Sequence, residues 1–296
     1  MPSPRNVLLL GLASATVAAV GLTAAATTGT TAATASATTI TSTPAPTAAP
    51  SAPAQPAAEP KPVSLWVRVP AANVWFRTGW VRRVDRPSLG ATPHLAKWVR
   101  RQSIAQRVTL GNNLMTQALR GEQVVLLGTR GPWAHVRLPQ QRGNFYRTGI
   151  IGWIWRSQLS STALTPAKEA QLPRRGSSLI HAAAAYWHTT YIFGGMTRVG
   201  IDCSGLTYQA ARRVGITLPR DAADQSRVGT PVTRSSLRPG DLVFFGHGAR
   251  ANIHHVAIYI GHGRVVHAPH TGSRVRIDRL SHFPDYWGAR RIVPTG

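Results

Sequence analysis

The 296-residue sequence holds a single cysteine, Cys203. One thiol excludes an intrachain disulfide framework and any zinc cluster built on cysteines. Acidic side chains are almost as scarce, 10 against 34 basic ones, which leaves a formal net charge of +24. The imbalance is not confined to a tail. Residues 1–60 are neutral, 61–163 carry +14 and 164–296 carry +10. A positive field over both of those parts suits polyanionic surroundings, of which nucleic acid is one and a bacterial wall with carboxylates and phosphate polymers is another.

Large apolar side chains are missing from Thr27 to Pro62, which is nearly all Ala, Thr, Pro and Ser. Such a composition cannot offset ordering entropy, and a disordered spacer is expected. Ahead of it, Arg5 precedes the apolar or small run Val7 to Ala26, followed by small-x-small steps at 24–26 and 35–37. This reads as an export signal over about 1–37, with the spacer at 38–62. An uncleaved membrane anchor is the rival reading. Export disfavours nucleic acid as the partner.

Length predicts two folded units. In the first, 63–162, four alternating runs read as strands: 64–69, 123–128, 133–138 and 149–154. Leu95, Trp98, Val99 and Ile104 fall at helical spacing, predicting a helix over 94–105 between them. Trp133, Trp153 and Trp155 are taken as packing residues rather than ligand contacts. A linker is expected over 163–176.

The second unit, 177–296, is organised around Tyr191 to Gly205, Y-I-F-G-G-M-T-R-V-G-I-D-C-S-G. Ser177 is placed to cap a helix running to Trp187, and Leu206 to Val214 reads as another. A thiol at a helix start is favoured as thiolate by unpaired N–H groups and the helix dipole. The competing reading is a small buried apolar residue. Strands are expected at 242–246, 254–261 and 264–268. In a strand, residues two apart share a face, so His255 and His267 should lie together, with the Cys203 helix packed on that side. Thiol, base and orienting group is the recurring layout of nucleophilic catalysis. His247, His254, His262 and His270 read as loop or surface residues. A zinc site from His254, His255 and His267 is disfavoured, because neighbours on a strand point to opposite faces.

Two resemblances follow from these residues. E-x-V-x-L-x…G-x-W-A-x-V-x-L…G-x-x-G-W-I, with Asn73-Val74 ahead of it, resembles a bacterial SH3 domain, although the helical insertion departs from the short form. Y-x-x-G-G…D-C-S-G-L…G-I-x-L-P-R…Q…L-x-P-G-D-L-V-F-F…H-H-V-A-I-Y-I-G…V-V-H-A resembles the NlpC/P60 cell-wall cysteine peptidases across the second unit. The resemblance implies an α+β architecture: a papain-like NlpC/P60 domain preceded by a small all-β SH3-like barrel with a helical insertion. It implies Cys203 as nucleophile, His255 as general base and His267 as the group orienting it. Tyr191, Asp202 and Ser204 would shape the substrate site or oxyanion pocket. No metal or other cofactor is implied. The expected reaction is hydrolysis of the D-γ-glutamyl–diamino acid amide in peptidoglycan or muropeptides, by an enzyme secreted to the wall. Anionic wall polymers are expected partners, nucleic acid is not, and membrane contact follows only if the signal is retained. An amidase or acyltransferase of the same fold, or a non-catalytic wall-binding protein, are the alternatives.

Overall fold

The computed structural model describes residues 62–144, 146–165 and 171–294. The expected export signal, and the spacer up to residue 61, lie outside them. No helix among the described residues is long and apolar enough to cross a membrane.

The first unit is a seven-stranded antiparallel sheet. Its spatial order is Leu114–Leu119, Ala71–Trp75, Ile150–Trp155, Trp133–Leu138, Gln123–Arg130, Ser64–Val67 and Leu159–Ser160. Period-two alternation buries Ala134, Val136 and Leu138 on one face of their strand. Those residues meet Val67, Val74, Val124, Ile150 and Ile154 in one apolar cluster. Gly152 is required for this closure: a Cβ there would lie 2.7 Å from Val74 Cγ1 and 2.8 Å from the Trp75 carbonyl. The helix expected over 94–105 is instead two short ones, Leu95–Arg101 and Ile104–Val108. Ser103 divides them, because its hydroxyl accepts from Gln106 N while Gln106 returns a bond to Ser103 N, a reciprocal cap that starts a new helix.

The second unit is a six-stranded antiparallel sheet with helices on one side. Its order is Thr230–Val232, Tyr286–Arg291, Leu242–Gly246, Ile253–Gly261, Arg264–His267 and Arg276–Arg279. Helix Cys203–Arg213 lays Leu206 and Ala210 on Leu242, Phe244, Val256 and Ile258. Each large side chain buried there contributes roughly 1.5–3 kcal/mol. The other face carries a smaller cluster of Val243, Phe245, Ala257, Val265, Leu280 and Ala289. The expected 177–187 helix spans Gly176–Ala184, and its N-cap is Arg175, which makes no side-chain cap. Ser177 is therefore inside the helix rather than capping it. The start is fixed instead by close packing of Gly176 on the Pro239–Gly240 turn.

The two units share a junction that is apolar at one end and hydrogen-bonded at the other. Ile192 and Val199 of the second pack with Trp75, Trp98 and Leu114 of the first. Met196 N donates to Gln117 Oε1 (2.9 Å), Asn144 N to Asp224 Oδ2 (2.9 Å) and Arg220 Nε to Thr116 Oγ1 (2.9 Å). From Thr116 the polar chain continues inward. Its hydroxyl donates to Gln141 Oε1 (2.7 Å), and Gln141 Nε2 donates to Glu122 Oε1 (3.0 Å).

Candidate active site

The thiol is positioned by the turn before it. The short hairpin Met196–Thr197 and Gly200–Ile201 delivers the chain to Asp202, whose extended backbone (φ −101°, ψ 178°) forms the N-cap of the Cys203–Arg213 helix. One carboxylate oxygen accepts from Gly205 N (2.7 Å) and the other from Gly194 N (2.8 Å). Arg220, 1% exposed, then grips the same carboxylate with both terminal nitrogens (3.1 and 2.8 Å) and donates to Ser204 Oγ (2.8 Å). Gln225 completes the clamp by donating to Ser204 O (3.0 Å) and accepting from Thr207 Oγ1 (2.6 Å). Asp202 and Ser204 thus sit beside Cys203 with their polar atoms committed to holding the helix start. Tyr191 is half-buried against the cluster that contains Cys203, and its backbone bridges to Ile201.

Cys203 is the first residue of its helix and is 7% exposed. Backbone N–H groups of Val256 and Ser204 address its sulfur. The N–H groups at the helix start favour the thiolate, as expected, but burial works against them. Burial pushes the thiol up to about 12, the Asp202 charge adds to that, and the two N–H groups and Arg220 only partly oppose it. The expected face is corrected. The Cys203 helix packs on the Val256–Ile258 side, whereas His255 lies 5.5 Å from Phe245, ring centre to ring centre, beside the opposite cluster. The sulfur meets the strand at its backbone, at the residue adjacent to His255.

His255 and His267 form the centre of a relay. Strand register pairs Ile258 with Val266, which places His267 diagonal to His255 across the hairpin. His255 Nε2 lies 2.8 Å from His267 Nδ1, and His267 Nε2 lies 3.0 Å from Asp278 Oδ2. A carboxylate only accepts, which fixes the proton order. His267 donates from Nε2 to Asp278, accepts at Nδ1 from His255 Nε2–H, and leaves the Nδ1 lone pair of His255 free to take a proton. Burial lowers His267 below 6.5, against the pull of Asp278, and lowers His255 well below that value, with His267 adding to the effect. Burial thus favours the neutral form of both rings. Phe283 contacts both, at 6.4 and 5.4 Å between centres.

Two residues of this site were not assigned from the sequence. Asp278 lies on Arg276–Arg279, a strand that was not anticipated; it pairs His267 with Arg276 and is legible only from the alternation Arg276-Ile277-Asp278. Arg220 was present as a letter of L-P-R without a role. Of the remaining histidines, His270 Nδ1 bonds to Thr271 O (2.9 Å), His262 occupies a positive-φ turn (52°), and His254 pairs with Asp285 (2.8 Å).

Residues 188–293 match the model of the NlpC/P60 family. A gamma-D-glutamyl-L-lysine dipeptidyl-peptidase of Bacillus cereus is 27% identical over 80% of this chain and 93% of its own. The probable endopeptidase NlpC of Escherichia coli is 41% identical over 36% of this chain and 71% of its own. Among solved structures, an NlpC/P60 family protein from Bacillus cereus superposes with a TM-score of 0.71 at 26% identity, over 78% of this chain and all of that one. The chain belongs to the NlpC/P60 family.

Proposed function

We propose that the protein is a wall-directed cysteine peptidase that hydrolyses the D-γ-glutamyl–diamino acid amide of peptidoglycan stem peptides. The observation that carries this reading is the ordered relay Asp278–His267–His255, ending one residue from the N–H that addresses Cys203 sulfur. The relay has a base but no preformed ion pair, so proton transfer and attack belong to one step. His255 Nδ1 takes the thiol proton as the sulfur adds to the amide carbonyl. N–H groups at the start of the Cys203 helix are placed to stabilise the oxyanion. Collapse expels the diamino acid amine, which leaves with the proton from His255. Water, deprotonated by the same ring, then cleaves the thioester and restores the thiol.

In this reading Tyr191 borders the substrate, while Asp202 and Ser204 act through the helix start they hold. The N-terminal sheet is assigned as an SH3-like module with a helical insertion. It supports Leu114 and Thr116 directly against Gly194, on the approach to the nucleophile. This crowding, and the names of the similar dipeptidyl-peptidases, favour released peptides with a free N-terminus over polymeric wall as substrate. Anionic wall polymers fit a second feature, a cavity of about 840 Å³ between the units that is bordered by Arg142, Arg147, Arg212 and Arg227. Export to the wall rests on the signal read in residues 1–37.

Mass spectrometry of digests tests the assignment, on intact sacculi and on L-Ala-γ-D-Glu-diaminopimelate peptides in parallel. Cleavage after γ-D-Glu in the free peptides is expected, with no release from sacculi. Cys203→Ala should abolish it with unchanged circular dichroism. Cleavage at the amide joining the stem to the sugar, or full turnover by Cys203→Ala, overturns the assignment.

A further inference from the structure

Three ligating side chains outside the relay converge at the end of the second sheet. His254 lies on strand Ile253–Gly261, one residue before His255. His247 opens the loop after Leu242–Gly246, and Asp285 directly precedes Tyr286–Arg291. One ligand atom from each lies within 4.8 Å of the other two. His254 Nε2 already stands 2.8 Å from Asp285 Oδ2. The His247 and His254 rings are 6.2 Å apart at 48°, tilted rather than stacked.

The backbones that carry these groups are tied together. Gly246 N donates to Asp285 O (2.9 Å), Asn252 Nδ2 to His247 O (3.1 Å), and Trp287 Nε1 to Gly248 O (2.9 Å). The trio is held by its framework, and the side chains alone adjust.

We infer that His247, His254 and Asp285 form a binding site for a divalent transition-metal ion, zinc by the nature of the donors. Two imidazoles and one carboxylate make the ligand set of an open zinc site, with the fourth position left to water. Bonds of about 2.0–2.2 Å set tetrahedral donors roughly 3.3–3.6 Å apart. To reach that spacing His254 Nε2 and Asp285 Oδ2 separate slightly from 2.8 Å while the ring of His247 closes in. Both histidines are exposed and Asp285 is half-buried, so an ion enters without unfolding. Arg250 stands nearby, over the Trp287 ring at 5.1 Å, and the surface is basic. Affinity must therefore come from coordinate bonds to nitrogen rather than from a negative field. That selects zinc over magnesium and calcium, which require several oxygen donors. A bound ion would tie the 247–252 loop and residue 285 to the strand at the residue next to His255.

Cys203 with the buried imidazoles is a competing zinc ligand set, and the test removes it. Zinc chloride is titrated calorimetrically into the full chain carrying Cys203→Ala, and into the same chain with His254→Ala or Asp285→Asn added. Expected is one equivalent bound by Cys203→Ala, a rise in its Tm with zinc, and no heat with magnesium. Both double variants should bind at least a hundredfold more weakly and show no Tm rise. Three results overturn the site: zinc binding that disappears with Cys203→Ala alone, unchanged binding when His254→Ala is added, or no binding by any form. Because hydrolysis is not measured, this result is independent of the proposed activity.

Discussion

In the proposed mechanism the proton that leaves Cys203 reaches a ring whose other nitrogen is already committed, and Asp278 decides which nitrogen that is. Without an acceptor at His267 Nε2, His267 can turn its Nδ1–H toward His255, and His255 then presents the wrong tautomer to the thiol. Asp278→Ala is expected to lower kcat roughly ten- to a hundredfold with little change in KM. That is a smaller loss than the ~10²–10⁴ of removing a general base outright. Steady-state kinetics on the stem peptide measures the split. The same variant separates positioning from scaffolding by its pH profile. His255 is held well below 6.5 by burial and by His267, so the acid limb of kcat/KM should lie below 6.5 in the wild type. It should shift in Asp278→Ala, whereas a scaffold residue would change only the amplitude. Cys203, His255 and His267 could be singled out because they sit in short motifs on strongly patterned elements, and the hairpin register brings the two imidazoles together. Asp278 was not, because a four-residue strand with three charged members carries no apolar signature.

At the scale of elements, the helix bearing Cys203 owes its position to Arg220, whose side chain arrives from a loop and is buried against a carboxylate. Removing one partner of such a pair leaves the other charge uncompensated, typically at about 3–5 kcal/mol. Arg220→Met is expected to destabilise by that order in denaturant unfolding and to lower activity with it. Thr116→Val tests the cross-unit bond more gently. It keeps the volume and deletes the hydroxyl that accepts from Arg220 and donates to Gln141. A loss of about 1–3 kcal/mol is expected, the cost of stranding buried partners. Strands 133–138, 242–246 and 264–267 were readable because alternation or an apolar run marks them. Leu114–Leu119 was not, since its polar members Thr116 and Gln117 point into the junction and break the pattern. The terminal pair, Arg276–Arg279 and Tyr286–Arg291, is rich in arginine for a sheet and reads as surface.

Across the whole molecule, Glu122 in the first unit is the buried carboxyl whose environment raises it most clearly, and it makes the assembly sensitive to pH. Burial lifts its carboxyl from 4.5 to about 7, although the Leu119 N–H and Gln141 oppose the shift. A carboxyl with a raised native value binds its proton more tightly when folded, so its stabilising share is full below about 4.5 and is lost as pH rises through about 7. The buried imidazoles act with the opposite sign, which makes a difference measurement necessary. The Tm of Glu122→Gln minus that of the wild type should grow more positive between pH 5 and pH 8. A constant difference across that range would show that Glu122 does not titrate between the two states. The strand-rich stretches of the two large sheets could be read from alternation and apolar runs, but the junction between the sheets could not, because it is written in single polar residues some 80 to 100 positions apart.

The strand order of the second sheet has a further consequence, for biogenesis. Tyr286–Arg291 lies inside the sheet, between Thr230–Val232 and Leu242–Gly246, rather than at an edge. The hairpin that bears the two imidazoles can pair early, but the strand beside it stays uncovered until residue 291 has been synthesised. Deleting Tyr286–Arg291 is therefore expected to uncover Thr230–Val232 and Leu242–Gly246 together, which amide hydrogen exchange on the two strands would read.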